Sequence, residues 1–208
     1  MTSSAGKLNV LLGLTKPLVL ASQSPRRRAL LTNVGFSFSV VNPDIDEDTV
    51  SHAVPPGEYV SVLALMKAQK GAALCEHPAI VIGSDTTVVL DGTVLNKPAD
   101  AEDARRMLKA LSGRTHTVYT GIAIVDGERS ITAVGTANVT FRDLDDKEIA
   151  AYVEGGSPLD KAGAYGIQDD QGAVFVRRVE GCYFAVVGLP MELLYTTLRD
   201  FVRDADHA

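Results

Sequence analysis

Short apolar runs alternate with amphipathic stretches along most of the chain, a pattern typical of a protein that combines strands and helices. A continuous apolar run such as 79–82 predicts a strand that is covered on both faces. Asp-Gly pairs at 91–92 and 126–127 each separate two β segments and favour hairpins. The predicted strands lie at 18–21, 36–40, 79–82, 86–90, 93–95, 115–125 and 130–141, with a further hairpin over 174–187.

Helical periodicity fills most of the intervals between these strands. Ser24 and Pro25 predict the N-cap and first turn of a helix that ends near Gly35. Asp100 with Asp103 resembles a capping box. Because hairpins interrupt the alternation, the pattern predicts a mixed α/β architecture around a long twisted sheet, not a purely parallel one. Further helices are predicted at 58–74, 100–112, 145–153 and 190–204, and a glycine-rich loop at 155–172.

The composition is that of an ordinary globular protein. Of the 208 residues, 46% are hydrophobic and 22% are charged, which excludes intrinsic disorder as a class. The formal net charge of -6 argues against a generally basic surface that binds nucleic acid. The two cysteines, Cys75 and Cys182, are too few for a disulfide scaffold and indicate free thiols in a reducing compartment.

The first 16 residues are predicted to be a leader that precedes a domain over 17–208. An apolar run at 8–14 loosely resembles a signal peptide, but Lys16 and Pro17 interrupt it. No stretch reaches the roughly 18 apolar residues that a membrane span needs. We therefore expect a cytoplasmic protein without a membrane partner.

The first chemical signal is the junction between the strand at 18–21 and the helix that follows it. A helix N-terminus presents unpaired N–H groups and a positive dipole end, which attract phosphate. The side chains of Ser22, Ser24, Arg26 and Arg27 add hydroxyl and guanidinium donors there. The alternative is a capped helix whose arginines are merely solvated.

Carboxylates supply the second signal. Asp85 follows the predicted strand at 79–82, and a carboxylate at a strand exit is placed to bind a metal, orient a water or accept its proton. The acidic run at 44–48 contains Glu47, a candidate oxygen ligand for a metal together with Asp85. The alternatives are a turn aspartate and a solvated acidic loop.

Two lysines and one loop complete the candidates. Lys67 falls on the apolar stripe of its helix, so it either snorkels or faces a polar cleft. Lys97 follows the predicted hairpin at 86–95. Gln168 ends a glycine-rich segment and carries an amide that can pair with a base edge, although a plain surface loop has the same composition.

These segments together resemble the Maf family of nucleoside triphosphate pyrophosphatases. Six ordered motifs across 17–200 carry the resemblance, and their combination is far more specific than any one of them. They are ASQSPRRRALL at 21–31, IGSDTTVVLDG at 82–92, LNKP at 95–98, RMLKALSGRTHTVYTG at 106–121, DKAGAYGIQ at 160–168 and YFAVVGLP at 183–190.

The resemblance implies a Maf/ITPase-like α/β fold with two lobes around a nucleotide-binding cleft. It implies hydrolysis of a nucleoside triphosphate to the monophosphate and pyrophosphate with Mg²⁺ or Mn²⁺, by a homodimer. By motif, Asp85 is the general base, and a set of polar side chains contacts the substrate. The phosphate contacts are Ser22, Arg26 and Arg27, with charge from Lys67 and Lys97, and base choice is linked to Arg26, Thr86 and Gln168.

The form GAYGIQ is similar to the branch that acts on dTTP and UTP. Ser84 and Asn96 depart from the residues common in the family, and Asn96 removes one potential carboxylate near the metal. Two alternatives stay open: a non-catalytic nucleotide-binding regulator of septum formation, and an enzyme for modified purine triphosphates such as 7-methyl-GTP. The family is also associated with keeping non-standard nucleotides out of nucleic acids and with division arrest.

Overall fold

The computed structural model describes residues 6–51, 53–155, 157–168 and 170–204. Parts of the predicted leader and the last four residues lie outside these ranges. The strands within these ranges are β1 (Leu18–Ala21), β2 (Ser39–Val41), β3 (Ile80–Leu90), β4 (Thr93–Leu95), β5 (Thr115–Asp126), β6 (Arg129–Phe141) and β7 (Val176–Gly181). The α-helices of the same ranges are α1 (Lys7–Leu11), α2 (Pro25–Asn33), α3 (Pro56–Ala73), α4 (Ala101–Leu111), α5 (Asp146–Glu154), α6 (Tyr183–Val187) and α7 (Met191–Arg203).

The strands form one mixed sheet in the order β2-β1-β3-β5-β6-β7, with β4 paired to β3. Strand β1 is parallel to both β2 and β3, whereas the β3–β4 and β6–β7 pairs are antiparallel. The predicted mixed α/β class is confirmed. Among the described residues, no helix has the length and apolar character to cross a bilayer.

The chain divides into two compact units. The first comprises the described residues within 1–85, 120–134 and 188–208, and the second comprises those within 86–119 and 135–187. In the first unit, apolar residues of β1, β3 and β5 pack against α3. The second unit has its own core, in which Phe141, Tyr165 and Phe175 lie among aliphatic residues of α4, α5 and the strands.

Several helix starts follow from capping residues. Ser24 accepts a hydrogen bond from the Arg27 N–H at 3.4 Å, which confirms the predicted N-cap of α2. Asp100 caps α4 as predicted by accepting from Asp103 N–H at 2.9 Å. The Asp103 carboxylate, however, accepts from Ala99 N–H at 3.1 Å and not from the cap residue, so this start is not a reciprocal box.

Three predicted boundaries are wrong. The strand predicted at 36–40 is β2, which covers Ser39–Val41. Strand β3 runs without a break through the polar stretch at 83–86, so Asp85 lies in the middle of a strand and not at its exit. The predicted hairpin over 174–187 is one strand, β7, followed by helix α6. An unbroken apolar run such as 183–187 does not distinguish a strand from a buried helix by its pattern, and Gly181, with a φ of 102°, ends the strand before it.

The second unit buries a histidine whose ionisation is linked to stability. His116 is 2% exposed, and burial lowers the pKa of its imidazole from 6.5 to about 4. Because the unfolded chain binds this proton near pH 6.5, the stabilisation is fully present above that pH and is lost as the pH falls towards 4. The pKa difference corresponds to roughly 3 kcal/mol.

We therefore expect the free energy of unfolding to fall between about pH 6.5 and about pH 4, and to fall less in His116→Gln. Urea unfolding at a series of pH values measures this difference. Equal pH dependence in the two proteins would contradict the assignment to His116. The exposed His77→Gln variant is the matched control.

Candidate functional site

The N-terminus of α2 gathers hydroxyl and guanidinium groups. Ser22, directly after β1, is 5% exposed. Its Oγ accepts hydrogen bonds from Ser24 N–H at 3.2 Å and from Arg27 Nη1 at 3.3 Å. Arg26 follows Pro25 in the same first turn. This cluster combines helix N–H groups with a positive side chain, the combination that favours a phosphate oxygen.

A single backbone carbonyl anchors this cluster to the strand that carries Asp85. The Gly188 oxygen accepts from Arg27 Nε at 2.7 Å and from Ser84 Oγ at 3.1 Å. Gly188 has a φ of 117°, a conformation that residues with a Cβ rarely adopt. The guanidinium plane of Arg27 is therefore held through two of its nitrogens, by Gly188 and by Ser22.

Lys67 joins two carboxylates. Its Nζ lies 2.6 Å from Oδ1 of Asp85 and 2.6 Å from Oε1 of Glu47. Lys67 and Asp85 are 8% and 7% exposed, whereas 39% of the Glu47 side chain is exposed. Lys67 therefore contacts polar groups and does not snorkel to solvent, and the polar cleft itself stays a prediction.

The close approach of α3 to β3 makes this contact possible. A Cβ at Gly83 would lie 2.1 Å from the Ala64 carbonyl oxygen, so only glycine fits there. Lys67 lies one turn after Leu63 and is buried among apolar residues of the same helix. A polar group on this inner face costs free energy unless it is paired, and the two carboxylates provide that pairing.

Electrostatic coupling connects the arginine cluster with the lysine and its carboxylates. Burial lowers the pKa of the Arg27 guanidinium, and the negative charges of Asp85 and Glu47 oppose that shift. Arg26, a like charge, acts in the same direction as burial. These groups lie close enough to share one electrostatic environment within the first unit.

The oxygen donors of this site suit a hard divalent cation. Asp85 and Glu47 present carboxylate oxygens to one point, which Lys67 Nζ occupies. Among the described residues, no group of three or more His, Cys, Asp or Glu side chains converges in a metal-binding arrangement. Two protein carboxylates, with phosphate oxygens and water, form a donor set typical of Mg²⁺ sites that act on phosphates.

The other three predicted contacts belong to the second unit. Thr86 is half-buried in β3, and Lys97 and Gln168 are exposed. Asn96, next to Lys97, accepts a hydrogen bond from Thr87 Oγ1 at 3.1 Å through its side chain.

The sequence did not identify Gly188 as a functional position. It also did not indicate that Ser84 and Arg27 donate hydrogen bonds to the same carbonyl oxygen. Gly188 stands before Leu189-Pro190 in a motif that we noted only for its resemblance. Its role depends on a carbonyl oxygen that comes within reach of residues 104 and 161 positions away, and no local pattern encodes such a contact. Glycine before a Leu-Pro pair was the available signal.

Comparison with known proteins adds an independent finding. The family model described as Maf-like protein matches residues 17–201. A dTTP/UTP pyrophosphatase from Salinibacter ruber is 50% identical over 195 residues, which are 92% of this chain and 94% of that protein. The protein of the same name from Shewanella denitrificans is 52% identical over 83% of this chain and 90% of its own length.

A third relative, from Salmonella typhimurium, also carries the name dTTP/UTP pyrophosphatase. It is 49% identical and covers 88% of this chain and 92% of its own. The matches include the α2 N-terminus, β3 and the loop that ends at Gln168, since all lie inside the family match. The chain belongs to the Maf family.

Proposed function

We propose that this chain hydrolyses nucleoside triphosphates between the α- and β-phosphates, with dTTP and UTP as its preferred substrates. The observation that carries the proposal is the cluster of the buried Lys67 and Asp85 with the partly exposed Glu47, within electrostatic reach of Arg27. It combines a carboxylate that can accept a proton with positive groups that can bind phosphate. The names of the three relatives support the choice of substrates.

The reaction is attack of a water oxygen on the α-phosphorus. The water loses a proton, the bond from the α-phosphorus to the bridging oxygen breaks, and pyrophosphate leaves with the bridging oxygen. Asp85 accepts the proton through its carboxylate, because it is the buried acid held beside the phosphate-binding groups. Arg27, Lys67 and the α2 N-terminus offset the negative charge of the phosphates.

The two carboxylates would hold the divalent cation, Mg²⁺ or Mn²⁺. When bound, such an ion neutralises phosphate charge and orients oxygen ligands. Without the ion, Lys67 pairs with both carboxylates at 2.6 Å and so holds Asp85 and Glu47 near each other. The homodimer, the cytoplasmic location and the absence of nucleic-acid or membrane partners stay predictions.

A panel of nucleoside triphosphates, with separate detection of pyrophosphate and orthophosphate, tests the reaction. The expected result is release of pyrophosphate in equal amounts with the monophosphate, fastest with dTTP and UTP. Release of orthophosphate would contradict the bond assignment. A preference for purine triphosphates would contradict the substrate choice while leaving the bond assignment intact.

Arg27→Ala tests the phosphate contact. We expect kcat/KM to fall about 10- to 100-fold, since a charge-assisted hydrogen bond contributes roughly 1.5–3 kcal/mol. Arg26→Ala is expected to act in the same direction. Arg28→Ala is the matched control, because Arg28 is exposed on the same helix turn. If Arg27→Ala behaves like Arg28→Ala, the cluster is only a capped helix.

Gln168→Ala tests the choice of base. Thymine and uracil present an acceptor at O4 and a donor at N3, and one amide group can pair with both. We expect the variant to lose more kcat/KM with dTTP and UTP than with other triphosphates. Gln171→Ala, an exposed glutamine three residues later, is the control. Competitive assays with paired nucleotides measure the ratio, and an unchanged ratio removes Gln168 from base recognition.

A further inference from the structure

The core of the second unit contains a polar pair that the proposed chemistry does not use. His116 Nε2 and the Tyr165 hydroxyl are 2.8 Å apart, and the residues are 2% and 5% exposed. Their rings meet edge to face at 5.4 Å, and both pack against the ring of Phe141. Two polar groups are therefore buried within an aromatic cluster, where phenylalanine and leucine would avoid the cost of desolvation.

The pair does not satisfy every polar atom that it buries. His116 Nδ1 is buried and has no hydrogen-bond partner among the described residues, so the histidine is incompletely satisfied. A hydrogen bond is directional, so the contact with Nε2 restrains the position of the tyrosine hydroxyl. Burial keeps the imidazole neutral at ordinary assay pH by lowering its pKa to about 4.

Tyr165 lies on the segment that leads to Gln168. The two residues before Tyr165 have left-handed backbone conformations, with a φ of 68° at Gly163 and 62° at Ala164. A non-glycine residue in this region is strained and persists where the surrounding contacts hold it. Gly163 N–H donates to the Asn96 carbonyl at 3.2 Å, which holds the start of the segment.

The segment is also held immediately after Tyr165. Gly166 N–H donates to the buried Tyr152 hydroxyl at 3.2 Å. A Cβ at Gly172 would lie 2.3 Å from the Gly166 carbonyl oxygen, so residues 166 and 172 approach too closely for a side chain at 172. Gln168 is only two residues further on, within about 7 Å of extended chain. Its exposed amide therefore projects from a backbone that buried hydrogen bonds hold in place.

We propose that the buried pair of His116 and Tyr165 positions Gln168 and thereby sets the base selectivity of the reaction. This inference rests on the proposed function. Both residues are positioning residues, since they act through the backbone of 163–168 and not on the substrate. The pair selects one placement of the amide, and without it the amide samples placements that distinguish the bases less well.

Three variants of the pair test the proposal with the full-length protein. Tyr165→Phe removes the hydroxyl, and His116→Leu removes its partner. His116→Gln introduces an amide that can form a hydrogen bond with the tyrosine hydroxyl in place of Nε2. The control is Val118→Ala, which weakens the same core two residues along β5 without touching a polar group, as Val118 is 1% exposed.

The main measurement is the ratio of kcat/KM for the best nucleotide to that for the next base, in competition. We expect Tyr165→Phe and His116→Leu to lower this ratio about 5- to 10-fold, within what one or two hydrogen bonds to a substrate contribute. His116→Gln is expected to retain most of it. Val118→Ala is expected to lower the melting temperature and leave the ratio unchanged. A ratio within about twofold of the unmodified protein in both disruptive variants would overturn the proposal.

Amide hydrogen exchange over 163–168 gives a second readout that does not depend on activity. We expect exchange to be about tenfold faster in Tyr165→Phe and His116→Leu, and near the original rate in His116→Gln. If the unmodified protein prefers a different base, the proposed substrate is wrong, but the ratio still tests the pair. If it hydrolyses no triphosphate, the proposed function fails, and unchanged exchange in the disruptive variants would separately overturn the positioning role.

Discussion

Replacing Asp85 by asparagine is expected to lower kcat at least about 100-fold, the lower range for loss of a general base. The amide has nearly the same shape but does not accept the proton of the attacking water. It also loses the charge that pairs with Lys67 at 2.6 Å, and it would hold the proposed divalent cation less well. Steady-state pyrophosphate release measures the effect at saturating substrate and added MgCl₂.

A second aspartate offers a matched control for this change. Asp126 of the same unit pairs with Lys16 through Oδ1 at 2.6 Å and Oδ2 at 2.8 Å. Asp126→Asn therefore removes the same charge from another Asp–Lys pair. We expect it to keep near-normal turnover. Near-normal turnover in a folded Asp85→Asn protein would remove this residue from the chemical step.

The Lys67→Met variant is expected to lose about 3 kcal/mol of stability, because removing one partner of a buried ion pair leaves an uncompensated charge. Asp85 is 7% exposed and carries most of this cost, whereas the Glu47 side chain is 39% exposed and water screens it. Urea unfolding at neutral pH measures the loss. Added MgCl₂ is expected to raise the melting temperature of this variant more than that of the unmodified protein, since two carboxylates then lack their ammonium partner.

Lys109→Met is the control for this experiment. Lys109 pairs with Asp146, and both side chains are exposed, by 70% and 79%, so the expected loss is below about 1 kcal/mol. Equal losses of stability in the two variants would contradict the claim that Lys67 neutralises a buried carboxylate. An equal response of both variants to MgCl₂ would argue against metal binding by Asp85 and Glu47.

Local pattern was sufficient for much of the fold. The apolar run of β1, the Ser24 cap and the hairpins at Asp91-Gly92 and Asp126-Gly127 involve neighbours in the chain, so their signals lie within a few residues. The predictions were wrong at 83–85, which was left between two strands, and at 183–187, which was assigned to a hairpin. In β3, polar residues that resemble a turn are buried by the neighbouring α3, and α6 is an apolar run whose length and burial suit either structure.

Local pattern also identified the candidate site residues, but not the residues with which they pair. Lys67 was a candidate because it is a charged residue on the apolar face of its helix. The helical periodicity of the sequence is enough to identify such a residue. What the lysine binds was not predictable in this way, since Glu47 and Asp85 come from a 3₁₀ turn and a strand on either side of it in the chain. Pairing of this kind depends on the approach of α3 to β3, which the absent Cβ of Gly83 permits.

Most helices and strands, the chemical groups available to the site and, through six ordered motifs, the family could be predicted from the amino-acid sequence, but the continuous strand that carries Asp85 could not. Only the folded chain shows which of those groups meet: Lys67 with two carboxylates, and Arg27 with a carbonyl 161 residues away. It also decided that His116 pairs with Tyr165, 49 positions later, on the segment that carries Gln168. Helix and strand propensities and helix caps depend on residues within one or two turns of each other along the chain. Ion pairs and shared hydrogen-bond acceptors depend instead on the close packing of segments that are far apart in the sequence.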